Sequence, residues 1–393
     1  MRSTLILLVL HLFFLHGLGQ FSPIYLGGES PFDVGYVTSH QQACWGDYNN
    51  DGFLDILESF SAKSAYNAFS RILKNDAGIG SFSRLQAGLT DLISSVALFA
   101  DFNNDGFLDA LVGGDAGFIF APRPVTLFYG TGSGFGSSRN ISLAVEVSAA
   151  IVDYNSDGYS DIYLVGYGNS TGTNNPGLSE LWKNDGGKGF SLVQNTGLPP
   201  TTFASTAWAD FDKDGFVDAF ITSRDNSTSN ALANAGLYRN NGGTGSFTPV
   251  PFPSGLPGIY LGNAVWADFN GDGWLDLVYA GSYTSEDTTW ATNLLLNNQG
   301  TSFTAVSPTQ TGLPLGTYAN LAAGDFDNDN FPDLAVSISN NTEQVDMVYQ
   351  NNQAAVFSLA TKLAASSAST NAALIWADYN NDGKLDLYVL TMG

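Results

Sequence analysis

Residues 101–109 read Asp101-Phe102-Asn103-Asn104-Asp105-Gly106-Phe107-Leu108-Asp109, and the rest of the chain is arranged around copies of this stretch. Oxygen-bearing side chains stand at positions 1, 3, 5 and 9, with glycine at position 6 and apolar runs on both flanks. Six other segments share the pattern: DYNNDGFLD (Asp47 to Asp55), DYNSDGYSD (Asp153 to Asp161), DFDKDGFVD (Asp210 to Asp218), DFNGDGWLD (Asp268 to Asp276), DFDNDNFPD (Asp325 to Asp333) and DYNNDGKLD (Asp378 to Asp386). Starts fall 54, 52, 57, 58, 57 and 53 residues apart along the chain, so the sequence is an array of seven repeats.

The flanks show what each loop joins. A small or short residue precedes each first Asp: Gly46, Ala100, Val152, Ala209, Ala267, Gly324 and Ala377. One place earlier a larger apolar residue stands in six copies, Trp45, Phe99, Ile151, Trp208, Trp266 and Trp376, with Ala323 the exception. A small residue suits a strand crowded against an axis, and the larger one can fill space between neighbouring units. Short apolar runs such as Leu277-Val278-Tyr279 follow position 9, so each loop is a hairpin. A third strand ends on Asn in Leu181-Trp182-Lys183-Asn184, Leu237-Tyr238-Arg239-Asn240 or Leu294-Leu295-Leu296-Asn297. A Gly- or Asn-rich turn leads to a fourth, opening on Phe82, Phe135, Phe190, Phe247, Phe303 or Phe357. Four strands every fifty-odd residues without helical periodicity predict an all-β, seven-bladed β-propeller with four-stranded antiparallel blades.

The loop chemistry points to calcium, a hard cation that takes six to eight oxygens in flexible geometry. Position 1 offers Asp47, Asp101, Asp153, Asp210, Asp268, Asp325 and Asp378, and position 3 offers Asn49, Asn103, Asn155, Asp212, Asn270, Asp327 and Asn380. Position 5 offers Asp51, Asp105, Asp157, Asp214, Asp272, Asp329 and Asp382; position 9 offers Asp55, Asp109, Asp161, Asp218, Asp276, Asp333 and Asp386. The backbone carbonyl at position 7 belongs to Phe53, Phe107, Tyr159, Phe216, Trp274, Phe331 and Lys384. Glycine at position 6, or Asn330 in the sixth copy, permits the positive φ of a sharp turn. Neither sulfur nor imidazole enters the set, which disfavours zinc and copper, and magnesium is the weaker rival because it retains its waters. An EF-hand needs Glu at position 12 and flanking helices. Position 12 is Glu58 in the first copy but Val112, Leu164, Ile221, Tyr279, Val336 and Val389 elsewhere, and the flanks are strands.

Charge agrees with a cation as partner. Five loops hold three Asp and two hold four, 23 of the 37 acidic residues in a chain of net charge −23. Nucleic acid and anionic membrane surfaces are disfavoured partners. Up to seven Ca2+ ions would offset repulsion among the clustered carboxylates.

The D-x-[DN]-x-D-G-x-x-D hairpins and L-Y-x-N-N-G strands resemble FG-GAP/VCBS repeats, the units of integrin α-subunit propellers. The resemblance covers nearly all of residues 20–393, read as one propeller domain. It implies that the loop positions named above hold calcium on one face, and that ligands engage the opposite face or the crevices between blades. Two departures stand out: a stalk or membrane segment is missing, and the last repeat stops at Gly393 before its own third and fourth strands. Gln20-Phe21-Ser22-Pro23-Ile24, which resembles the Phe-led fourth strands, is expected to complete that last blade, leaving it without a third strand.

Residues 1–19 read as an export signal: Arg2, an apolar run from Leu5 to Leu15, and small residues at Gly17 and Gly19 before the cleavage point. The run is short for a membrane anchor. A secreted, monomeric protein is therefore expected. Cys44, the single cysteine, reads as a buried, inert thiol. Asn140, Asn169, Asn226 and Asn340 open glycosylation triplets, the last three in polar loops. A binding or adhesion module for an extracellular protein or glycan is the leading functional reading. The alternative is a polysaccharide lyase or hydrolase; once residues 1–19 are removed, His40 is the only histidine, which leaves little material for His-based catalysis. Phe118, Phe120, Tyr167, Tyr283 and Trp290, in the long loops joining second and third strands, are the candidate ligand contacts.

Overall fold

The computed structural model describes residues 11–16, 20–25, 42–62, 67–85, 87–90, 93–115, 123–167, 177–224, 233–282, 290–339, 344–366 and 373–390. The chain opens with β1 (His11–His16) and β2 (Gln20–Tyr25). The first repeat supplies β3 (Gln42–Gly46), β4 (Asp55–Ala62), β5 (Asn67–Asn75) and β6 (Phe82–Leu85). The second supplies β7 (Ile93–Ala100), β8 (Asp109–Asp115) and β9 (Arg123–Gly130), and shares β10 (Phe135–Val152) with the third. The third continues through β11 (Asp161–Tyr167), β12 (Gly177–Asn184) and β13 (Phe190–Val193). The fourth holds β14 (Thr202–Ala209), β15 (Asp218–Arg224), β16 (Ala233–Asn240) and β17 (Phe247–Val250). The fifth holds β18 (Tyr260–Ala267), β19 (Asp276–Ser282), β20 (Trp290–Asn297) and β21 (Phe303–Val306). A four-residue helix, α1 (Pro308–Thr311), leads to the sixth: β22 (Thr317–Gly324), β23 (Asp333–Ser339), β24 (Gln344–Asn351) and β25 (Phe357–Ser366). The seventh contributes β26 (Ala373–Ala377) and β27 (Asp386–Leu390).

Within each sheet neighbouring strands pair antiparallel, in an all-β propeller built on four-stranded units. The strand bounds follow the sequence signals. Fourth strands begin on the six Phe residues, and the residue before each acidic loop pairs with its ninth position, as in Ala267 with Asp276.

Seven separate blades were expected, and six sheets are found among the described residues: five of four strands and one of seven. The difference lies in β10. Its first half pairs with β9 and its second half, from Val145, with β11, so the second and third repeats share one continuous strand. At four other junctions a Gly-Leu-Pro or Gly-Leu-Thr turn separates a fourth strand from the next first strand, as in Gly197-Leu198-Pro199 or Gly312-Leu313-Pro314. From Ser137 to Val152 there is neither Gly nor Pro, which permits a continuous strand, although the equally Gly- and Pro-free stretch from Phe357 to Ala377 holds two separate strands, β25 and β26.

The expected closure is also corrected. β2 takes the outer place in the last sheet, whose order is β2-β1-β27-β26, but the third strand is present. It is β1, drawn from the stretch read as an export signal, with His11 opposite Val389.

Among the described residues the core forms seven clusters, each lying between consecutive repeats. One cluster, with Ile56, Leu73, Tyr379 and Tyr388, joins the seventh repeat to the first and closes the ring. The small residues before the loops are required by this packing. A Cβ on Gly46 would come within 2.6 Å of Leu108 and 2.7 Å of Phe99, both from the next repeat. Cys44 is half-buried, and desolvation pushes its thiol up to about 12.

Candidate metal-binding loops

Asp268–Asp276 shows how the loop is built. Asp268 Oδ1 and Asn270 Oδ1 both accept the Asp272 N–H, at 3.0 and 2.9 Å, while Asp268 Oδ2 accepts the Gly273 N–H at 2.7 Å. Asp272 Oδ1 accepts the Trp274 N–H at 2.9 Å. Asp276 closes the loop from beneath, taking the Phe269 N–H at 3.1 Å and the Asn297 N–H of the third strand at 2.8 Å. The position-1, -3 and -5 bonds recur in all seven loops, the first included. Turning so tightly takes two left-handed residues per loop: position 6, as foreseen, and position 4, where Asn50, Asn104, Ser156, Lys213, Asn328 and Asn381 have φ between 54° and 60°. The frequent Asn at position 4 was the available signal for the second.

In two of the loops, the fourth and the sixth, three carboxylates come together. Carboxylate oxygens of Asp210, Asp212 and Asp214 lie within 4.8 Å of one another, as do those of Asp325, Asp327 and Asp333. Burial raises the position-9 carboxylates, against the lowering effect of the N–H groups they accept: Asp55, Asp161, Asp218, Asp276, Asp333 and Asp386 to about 7, Asp109 to about 6. A buried carboxylate crowded by its neighbours calls for a counter-charge. An all-oxygen set of this kind fits a hard divalent cation. The position-7 rings of Phe53, Phe107, Phe216 and Trp274 lie against glycines of the turn between third and fourth strands, whereas Phe331 lies against Gly271 of the preceding loop. The Phe107 ring packs so closely on Gly132 that a Cβ there would sit 2.4 Å from it.

One set of functional residues escaped sequence reasoning: the asparagines that end the third strands. Asn297 Nδ2 donates to Leu275 O of its own loop at 3.0 Å and to Phe211 O of the preceding loop at 2.8 Å, and Oδ1 accepts the Gly300 N–H at 2.8 Å. Asn75, Asn184, Asn240 and Asn351 make the same two carbonyl contacts, and Asn75 reaches Tyr379 to join the first repeat to the seventh. Their fixed place in the repeat was a signal, but the bridged partner lies 82 to 86 residues away in four cases and 304 in the fifth. The second repeat has Gly130 here, where a Cβ would meet Leu108 O at 2.2 Å. β1 contains no asparagine.

The loops also touch one another. Position-4 side chains donate to the position-6 carbonyl of the next loop: Asn50 to Gly106, Asn104 to Gly158, Ser156 to Gly215 and Asn381 to Gly52. Between the fourth and fifth loops the link is instead Lys213 Nζ over the Trp274 ring, 4.4 Å from its centroid. Among the sequons, Asn140 is exposed on β10, with Thr126 Oγ1 donating to its Oδ1; Asn169, Asn226 and Asn340 lie outside the described residues. Phe118, Phe120, Tyr283 and His40 also lie outside them, while Tyr167 and Trp290 are placed only as strand ends of β11 and β20.

Comparison with known proteins agrees with this geometry. The FG-GAP-like repeat family matches residues 101–164, 153–221, 214–279, 268–336 and 336–389. The first acidic hairpin lies outside the matched segments, yet has the same hydrogen bonds as the rest. No curated protein matches the chain. Repeat spacing, hairpin geometry and these five matches lead to one conclusion: the chain belongs to the FG-GAP-like repeat family.

Proposed function

We propose that the protein is a secreted, calcium-stabilised propeller that acts as a binding or adhesion module for an extracellular protein or glycan. In this reading the seven-stranded sheet serves as two blades fused through β10, giving the ring seven. The observation that carries the proposal is the repetition of one acidic hairpin seven times, with direct contacts linking six of the seven neighbouring pairs. When bound, calcium supplies the divalent charge that offsets three or four carboxylates per loop, for up to seven ions. The position-1 and position-3 oxygens hold the loop turned, the buried position-9 carboxylate anchors it to the third strand, and the strand-ending asparagines pass that order to the next repeat. Calcium on one face thus fixes the shape of the ring and leaves the opposite face and the crevices for a ligand.

Export rests on the reading of residues 1–19. Cleavage after Gly19 would take β1 away with the signal, and N-terminal sequencing of protein from culture medium tests this directly. Among the described residues, no helix is long and apolar enough to cross a membrane. For the metal, thermal melting is compared with calcium and after chelation. A substantially lower melting temperature without metal, restored by calcium, is expected; a curve indifferent to both refutes occupied structural sites. A glycan array probed with and without chelator then tests whether ligand capture depends on the ordered ring.

A further inference from the structure

In four repeats the second-to-last residue of the third strand reaches the acidic loop, and this residue varies between them. Lys74 Nζ lies 3.4 Å from Asp51 in the first repeat and Lys183 Nζ 3.6 Å from Asp157 in the third, both at position 5. In the fourth repeat Arg239 Nε lies 2.5 Å from the position-3 carboxylate of Asp212; in the sixth, Gln350 Nε2 lies 2.5 Å from the position-3 carboxylate of Asp327. The fourth and sixth loops are a matched pair. They alone carry four Asp, and their third-strand side chains reach the same carboxylate. The loops also differ at position 4, Lys213 against Asn328, but Lys213 Nζ is drawn over the Trp274 ring of the next loop, which leaves the charge of the third-strand side chain as the difference at the position-3 carboxylate. Arg239 is also held from outside its repeat, with Nη2 donating to Gly300 O of the fifth repeat at 3.0 Å and the guanidinium 6.0 Å from the Phe211 ring.

We propose that Arg239 is a resident counter-cation that holds the calcium affinity of the fourth loop below that of the sixth, an inference that rests on the loops being calcium sites. A divalent ion entering the fourth loop must share Asp212 with a fixed positive charge only a few ångströms away, whereas Gln350 orients Asp327 without opposing charge. Arg239 also stands in for the ion when calcium is scarce, so the fourth loop keeps its shape while unfilled. The sixth loop fills first and the fourth later, which gives the ring a graded response in place of a single threshold.

The test uses the full chain and calcium alone, titrated against a chromophoric chelator at low and high salt. Arg239→Gln is expected to tighten one calcium equivalent per chain by roughly fivefold, and Gln350→Arg to weaken one by a similar factor. Arg239→Lys should behave as wild type, and the differences should shrink as salt screens the charge. The Arg239 side chain is 41% exposed, so these changes leave the core intact. If wild type binds calcium and the Arg239→Gln and Gln350→Arg isotherms superimpose on it, Arg239 does not set the affinity. If wild type itself binds no calcium, the reading of the loops as metal sites falls, and the inference with it.

Discussion

Replacing Asn297 by alanine tests whether the strand-ending asparagines hold neighbouring repeats together. The side chain is 2% exposed and makes three hydrogen bonds: two donated to carbonyls of different repeats and one accepted from Gly300. Truncation removes all three and leaves Phe211 O, Leu275 O and the Gly300 N–H without this partner in a dry seam. At about 1 kcal/mol per lost bond, the cost is about 3 kcal/mol. A chain of this length has an unfolding entropy on the order of 0.8 kcal/mol/K, so the melting temperature should fall by about 4 °C if the ring unfolds as one unit. Asn298→Ala is the control, because Asn298 is exposed and bonds only Ser302, Thr304 and Thr301 in its own turn. Melting is followed by calorimetry and circular dichroism in saturating calcium. An Asn297→Ala protein that melts together with the Asn298→Ala control would refute the reasoning.

Two further outcomes are expected. Tyr388 donates to Glu58, a wholly buried carboxylate that also pairs with Arg71, so Tyr388→Phe should cost about 2 kcal/mol and lower the melting temperature measurably; an unchanged melt would show that this contact contributes nothing to the seam. The pH dependence should reverse with metal: position-9 carboxylates raised to about 6 or 7 in the metal-free fold favour it below about pH 4 and lose that contribution as pH rises through 6 to 7. Metal-stripped protein should therefore melt higher at pH 5.5 than at pH 8, and calcium-saturated protein the opposite way, because calcium competes with protons; parallel profiles would count against buried position-9 carboxylates as metal-linked groups.

What could be read in advance was whatever the chain specifies locally. The acidic hairpin, the small residue before it and the Phe that opens each fourth strand all act within a few positions, and each stands where its pattern placed it. The shared strand β10 was not legible: the Gly-Leu-Pro turn is missing between Ser137 and Val152, but it is missing also between β25 and β26, which are separate strands. The third strand of the last sheet was hidden differently, because an apolar segment suited to export is also apolar enough to pair with β27. Asn184, Asn240 and Asn297 were visible as strand ends, but their partners lie a whole repeat away. The role of Arg239 depends on how the third strand sits against the loop, which spacing alone does not specify.

The seam between the first and seventh repeats has a consequence for how the chain is made. Glu58 bonds Tyr388 across 330 residues, and Asn75 reaches Tyr379 across 304. At ribosomal rates of about 5–20 residues per second, the first repeat waits roughly 15–65 s for those partners. Throughout that interval Trp45, Ile56, Leu73 and Phe82, which later pack against the seventh repeat, lack their covering surface. Such a face invites other nascent chains and unfinished copies of the same protein. Glu58 stands at the place where five of the other repeats carry an aliphatic residue and one a tyrosine. While the face is open its carboxylate is hydrated and makes docking by an apolar intruder costly. Only the correct final strand brings a hydroxyl to meet it, so the residue that guards the unfinished edge also recognises the segment that completes the ring.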